Sequence, residues 1–209
     1  KINFNQINKK IFYFLIILNL FFFTFYYGFR GIFPLDSFLI FDAGFKVLNG
    51  VHPFKDYWSI TGPILDYIQS ILFFLFDVNW FSYVLHAALI NCLIAVIVFY
   101  FFESLGLKRI YSFLYSLCVS ILAYPSVGTP FMDHHSAIFS LVAIIFFILA
   151  FLKNDKKLWF LSSLFLIFSF FSKQIPAAYI FIVFGVLILI CRIFLKNRIN
   201  RDIIYFLLG

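Results

Sequence analysis

Charge is what this 209-residue sequence has least of: 12% of its residues are Asp, Glu, Lys or Arg, where an ordinary soluble domain carries about 25%. A soluble fold needs a solvated surface. With 64% hydrophobic residues, 35 Phe and a mean hydropathy of +1.03, this chain has no means of making one at its length. Cysteine is sparse as well. Cys92, Cys118 and Cys191 fall inside apolar runs, with no C-x-x-C pair and no His at ligand spacing, so they read as buried thiols and point to no metal or dithiol centre. There is no internal repeat and no low-complexity linker. The net charge of +7 does not point to nucleic acid, because the basic residues sit in short clusters between apolar runs and form no aromatic-interleaved basic face.

What the sequence does have is apolar runs of membrane-spanning length, near twenty residues each at a rise of about 1.5 Å per residue. The expected fold is an all-α integral membrane protein, a multi-spanning helical bundle with about six transmembrane helices. They are placed at about 11–29, 81–102, 110–124, 136–152, 158–171 and 175–192, and none holds a charged residue before Arg192. The first run follows Lys9 and Lys10 as a signal peptide would. It is long and aromatic, however, and ends in "YYGFR" with no small-residue cleavage site, so it reads as an uncleaved helix. The sequence opens on Lys and stops at "IIYFLLG", where a fresh apolar run begins. The expectation is one transmembrane module over 1–209, incomplete at its C-terminus.

The segment "PILDYIQSILFFLF", 63–76, is apolar but short, with Asp66 and Gln69 in its first half. Whether it crosses decides the sidedness of everything after it. Lys and Arg accumulate in short cytoplasmic loops. If 63–76 does not cross, Arg30, Lys46, Lys55 and Lys173 lie outside and the other twelve of the sixteen basic residues lie inside; if it crosses, the tally reverses. The segment is therefore expected to lie along the outer face as an interfacial or re-entrant helix. That puts the N-terminus in the cytoplasm and the loop 30–80 on the extracytoplasmic side of a cell membrane. Asp36, Asp42, Asp56, Asp66, Asp77 and Asp133 then fall outside, and Glu103, Asp155 and Asp202 inside. Trp58, Trp80 and Trp159 sit at span edges or in the loop, where an indole can straddle lipid headgroups.

Ion-coupled transporters and pumps place ionisable groups or broken helices near the midplane. Here the polar residues inside spans are His86 and Asn91, and the carboxylates gather at the outer interface. Three outer pieces could build a site. In the loop, "DSFLIFDAGFKVLNG" reads as a short amphipathic helix with Asp36 as N-cap and Gly50 just beyond its end. "PSVGTPFMDHHS", 125–136, brings Asp133, His134 and His135 to the start of a span. "SKQIP", 172–176, breaks two spans and leaves Lys173 at the outer surface.

The register Asp36, Gly50, Pro53, Asp56, followed by "TGPI" at 61–64, resembles the first outer loop of polyprenyl-phosphate-sugar-dependent membrane glycosyltransferases of the GT-C fold, the group of protein O-mannosyltransferases and aminoarabinose transferases. "VLNGVHPFKD" stands where that family has L-x-x-G-x-x-P-Y-x-D, with fourteen residues from Asp36 to Gly50 and twenty to Asp56. The family often has D-E where this chain has Asp36 and Ser37, a departure that leaves no basis for inferring a divalent metal. "MDHHSAIFSLVAIIFFILA" resembles the family's second acidic position and "FFSKQIPAAYIF" its Lys-bearing turn. The likeness covers most of 11–192, the N-terminal half of such enzymes.

The resemblance implies transfer of a sugar from a polyprenyl-phosphate donor to a lipid, polysaccharide or protein acceptor at the outer face. A carboxylate would take the acceptor proton and a cation would stabilise the phosphate leaving group. It implies Asp36 as the base, Asp133 as its partner, Lys173 and Arg30 at the donor phosphate, and Asp56, His134 and His135 in support. Plainer readings stand beside these. Asp36 is also a favoured cap, Lys173 a lysine snorkelling at a helix end, and Asp56 a residue that only shapes its loop. The competing function is a non-catalytic polytopic protein, such as a lipid or polysaccharide export subunit, or a truncated relic of a glycosyltransferase.

Overall fold

The computed structural model of the chain describes residues 8–31, 38–123, 128–194 and 206. Among these residues the regular elements are eight helices: α1 (Lys9–Gly28), α2 (Leu39–Leu48), α3 (Ile64–Phe76), α4 (Trp80–Ser104), α5 (Arg109–Ala123), α6 (Met132–Lys153), α7 (Lys156–Ser172) and α8 (Gln174–Phe194). Three of them, α1, α4 and α6, are long and apolar enough to cross a membrane. The other segments expected to span are helical but shorter or less regular. α5 has 15 residues, α7 has 17, and α8 has 21 with Ile175 off the helical backbone near its start. The chain divides into two compact units, 1–134 and 135–209.

In the first unit α1 packs on α4 and α5. Both long helices begin at an asparagine cap: Asn8 Oδ1 accepts the Lys10 N–H at 3.0 Å, and Asn79 Oδ1 accepts the Ser82 N–H at 2.9 Å. α1 buries Phe12, Ile16, Leu20, Thr24 and Gly28, a stripe repeating every fourth residue down one face. Against that stripe lie Cys92, Ala95 and Phe99 of α4, with Phe113 and Leu117 of α5 beside them. The other faces of α1 are apolar and bare, with Phe14, Phe22 and Tyr26 at 60% exposure or more. Water would penalise that surface, whereas acyl chains would not. One polar pair sits inside, where the Asn91 amide donates to Thr24 Oγ1 at 3.1 Å and ties α4 to α1.

The two ends of the α1–α4 pair are marked by different chemistry. At one end Lys9 and Arg109 both pair with Glu103, which gathers the start of α1, the end of α4 and the start of α5. At the other end the Trp80 indole N–H donates to the Gly28 carbonyl at 2.8 Å. The intervening segment 29–79 therefore leaves and returns at the same end, and α3 does not carry the chain from one end to the other. With 13 residues, α3 is about 20 Å long, well short of a hydrocarbon core of about 30 Å.

In the second unit α6 and α7 are joined by serines. Ser169 Oγ lies 3.0 Å from Ser136 Oγ and 2.7 Å from Ser140 Oγ, and Ser162 Oγ donates to the Ala143 carbonyl at 2.9 Å. Small hydroxyl side chains let two helices approach and bond where lipid would offer neither. Between α7 and α8 an apolar cavity of about 520 Å³ is lined by Leu166, Phe170, Ala177, Phe181 and Phe206, with Ser163 at its edge. The break before α8 is built from extended backbone at Lys173 (φ −158, ψ 135) and Ile175 (φ −104, ψ 127), with a cis bond to Pro176.

The tryptophans divide. Trp58 is 83% exposed, as a headgroup anchor would be. Trp80 spends its indole N–H on Gly28. Trp159 is 2% exposed and packs edge-on against Phe147 and Phe206, so the expected interfacial role is corrected: aromatic packing outcompetes the interface for this ring.

Candidate functional site

The loop that carries the sequence motif folds around α2. Its helix starts at Leu39 with Phe38 in the cap position and no side-chain cap, so the expected N-cap at Asp36 is not where the helix begins. Asp36, with the rest of 32–37, lies outside the described residues. The other end follows the sequence closely. Gly50 takes a left-handed φ of 79, which lets the Gly50 N–H reach the Val47 carbonyl and the Val51 N–H reach the Lys46 carbonyl, each at 3.0 Å. The chain then turns back on itself. Asp56 Oδ2 accepts the His52 N–H at 2.8 Å, the Asp56 N–H donates to the His52 carbonyl at 2.9 Å, and the Phe54 N–H donates to the Tyr57 carbonyl at 2.8 Å.

α3 is amphipathic in the inverted sense. Its bare face carries Ile71, Phe74 and Leu75, whereas Asp66 and Gln69 lie on its buried face beside Leu65, Leu72 and Phe73. α2 comes close at Gly44: a Cβ there would meet Gln69 Cγ at 2.7 Å. The Tyr57 hydroxyl donates to Asp66 Oδ2 at 2.8 Å, and Lys46 Nζ lies 5.2 Å from the centre of the Tyr57 ring while it pairs with Asp42 at 2.6 Å. Tyr67 stacks on His52, with its hydroxyl 3.3 Å from His52 Nδ1. Deeper in, Gln69 Oε1 lies 3.0 Å from Nδ1 of His86 on α4.

Burial lifts the Asp66 carboxyl group to about 6, and the Tyr57 hydrogen bond and the Lys46 charge pull against that rise. Burial also pushes the Tyr57 hydroxyl above its ordinary range, with the bond to Asp66 adding to it. A carboxyl group near 6 is half-protonated close to neutrality, the range in which an acid or base is most useful. Beside this cluster an open cavity of about 450 Å³ is lined by Phe38, Phe41, Phe45 and Val78, with Asp42 its one charged residue.

The residues singled out from sequence are dispersed between the two units. In the first, Arg30 is exposed just beyond α1, with its guanidinium 5.2 Å from the Tyr26 ring centre, and Asp56 is occupied with its own loop. Asp133 is exposed in the first turn of α6, where a negative charge suits the helix N-terminus, and the half-buried His134 ring lies 5.3 Å from that of Phe131. In the second unit His135 is fully buried, its ring 6.0 Å from that of Phe139. Lys173 is half-buried: its N–H donates to the Ser169 carbonyl, and its own carbonyl accepts from Ser136 Oγ, both at 3.0 Å.

Asp66 and Tyr57 were missed from sequence, where Asp66 reads as polar punctuation at an interface. A signal was present: Asp66 and Gln69 are three apart, so they share the one polar stripe of an otherwise apolar helix. Among the described residues no three of His, Cys, Asp and Glu converge in a way that would hold a metal ion. Compared with models of known protein families, with curated proteins and with solved structures, the chain matches none of them.

Proposed function

We propose that this chain is the transmembrane module of a GT-C-type glycosyltransferase, with about six spans, a cytoplasmic N-terminus and its site on the extracytoplasmic face of the cell membrane. One observation carries the reading. The loop residues in family register are those that give the loop its shape: Gly50 closes α2 and Asp56 fastens the turn that contains Pro53. The return of segment 29–79 to one end of the α1–α4 pair supports an outer loop that does not cross.

In this reading Asp36 takes the acceptor proton with Asp133 as its partner, and Lys173 and Arg30 face the phosphate of the polyprenyl donor as cations. His134 and His135 support the start of α6. The cavity beside Phe38 and Phe45 offers apolar surface next to the loop for part of a lipid substrate.

The engagement of Asp56 with His52 also favours a second reading, in which the loop is a shaped recognition surface on a non-catalytic polytopic protein such as an export subunit. Transfer of sugar from a lipid-linked donor, assayed in membranes holding the full-length wild type or Asp36→Ala, separates the two. The enzyme reading expects transfer in the wild type and a loss of a hundredfold or more in the variant, on the order of what a general base contributes. Absence of transfer in both leaves the recognition reading, and equal transfer in both removes Asp36 from the mechanism.

A further inference from the structure

We propose that Asp66 is the positioning residue of the outer loop: its buried carboxyl group docks residues 51–63 on α3 through the Tyr57 hydroxyl, and the docking loosens when that carboxyl group loses its proton. The inference rests on the packing of the loop and not on sugar transfer.

The loop from 51 to 63 is tied by backbone bonds at its two ends, Val51 N–H to the Lys46 carbonyl and Tyr67 N–H to the Pro63 carbonyl, and between them much of it is bare. Phe54, Trp58 and Ile60 are exposed at 55%, 83% and 87%, and the backbone bonds at Phe54 and Asp56 close the turn on itself without tying it to a helix. Two side-chain links reach α3. One is Tyr57 to Asp66 at 2.8 Å, and the other is the longer, exposed contact of His52 with Tyr67 at 3.3 Å. Asp66 is 4% exposed, so an ionised carboxylate there is cut off from water, and the Tyr57 hydroxyl and Lys46 of α2 offset only part of that loss.

Titratable and charged side chains from several elements surround this carboxyl group. α2 contributes Lys46 and its partner Asp42, the loop contributes Tyr57 and His52, α3 itself contributes Tyr67, and α4 contributes His86 through Gln69. Only one cation among them acts on Asp66, and that cation already pairs with Asp42. Lifting the loop lets water reach the carboxyl group and moves its titration back toward the ordinary value of 3.8; docked, it holds its proton to about 6. The docked state therefore binds more protons than the lifted one, so acid favours docking and rising pH favours release. The difference between the two values sets an upper limit of about a hundredfold on the shift in the docking equilibrium.

Hydrogen exchange of the amides in 51–63, measured on the protein in lipid nanodiscs and expressed as protection relative to the intrinsic rate at each pH, tests this. Protection in the wild type should fall at least fivefold between pH 5 and pH 8. Asp66→Asn keeps an acceptor for Tyr57 without a charge, so its protection should stay high and flat across that range. Tyr57→Phe should lower protection at both ends. A fall with pH that persists in Asp66→Asn would assign the effect to His52 and overturn the proposal, as would unchanged protection in Tyr57→Phe. None of these outcomes depends on catalysis, so failure here leaves the transferase reading untouched, and absence of transfer leaves this one untouched.

Discussion

The indole N–H of Trp80 donates to the carbonyl of Gly28 at 2.8 Å, joining the first residue of α4 to the last of α1. That bond fixes where the 29–79 segment must begin and end. It also supplies a donor to a carbonyl at a helix C-terminus, one of the backbone groups that helix formation leaves unpaired. Replacing Trp80 by Phe keeps the ring contacts with Phe38 and Tyr83 but removes the donor. The expected loss is about 1 kcal/mol of stability. Trp80→Ala, which also empties the ring site, should lose about 3 kcal/mol. Thermal unfolding in detergent, followed by circular dichroism, reads both, and equal midpoints for wild type and Trp80→Phe would deny the bond any weight.

Sidedness gives a second prediction. The basic residues at Lys9 and Arg109 meet at Glu103, at the opposite end of the α1–α4 pair from Trp80. The proposed reading, from the distribution of positive charge, has that basic end cytoplasmic and the loop facing outward. In a variant whose three native cysteines are replaced by alanine, Lys55→Cys places one thiol at an exposed loop position. An impermeant thiol reagent should label it on intact cells. Labelling only after lysis would invert the topology.

The sequence conveyed the helices more readily than it conveyed the site, for identifiable reasons. Gly50 could be placed at a helix end because a left-handed residue there is a local requirement, satisfied by one residue type and its immediate neighbours. The expectation that 63–76 does not cross rests on positive charge summed over many loops, so no single position decides it. Asp66 could not be read in this way. Its hydrogen bond comes from Tyr57 nine residues earlier, a tertiary contact that hydropathy along the chain does not contain. Trp159 failed for the same reason, since its partners Phe147 and Phe206 come from distant stretches. The start of α2 was placed too early because Asp36 is a strong cap by residue type, while the helix begins at Leu39 without any side-chain cap.

Serine packing in the second unit leads to a third prediction. Ser169 Oγ donates to the Ser136 carbonyl at 2.8 Å and contacts both Ser136 Oγ and Ser140 Oγ, so one hydroxyl serves two turns of α6. Ser169→Ala removes those bonds but preserves the close approach, and should lose on the order of 1 kcal/mol, as interhelical polar contacts in membranes do. Ser169→Leu forces the helices apart as well and should lose more, about 2 to 3 kcal/mol from overpacking at a fully buried position. Unfolding of the reconstituted protein by graded denaturing detergent would rank them. If Ser169→Leu were no worse than Ser169→Ala, α6 and α7 would not be packed as closely as these bonds require.

The last prediction concerns global stability and the sign of its dependence on pH. The Asp66 carboxyl group titrates at about 6 in the folded chain, raised from 3.8 chiefly by burial. A raised value means the folded state holds its proton more tightly than the unfolded state. The contribution to stability is then fully present below about 4 and is lost as pH rises through 6. The difference of roughly two units corresponds to about 3 kcal/mol at most, less whatever the loop recovers by lifting and letting water in. Asp66→Asn cannot ionise, so its stability should be insensitive to this group. The wild type should thus approach or exceed Asp66→Asn at pH 4 and fall below it by about 1 to 3 kcal/mol at pH 7.5, with the crossover between. Parallel curves for the two proteins across that range would show that Asp66 ionises in the folded state as freely as in water, and that its contact with Tyr57 does not keep it buried.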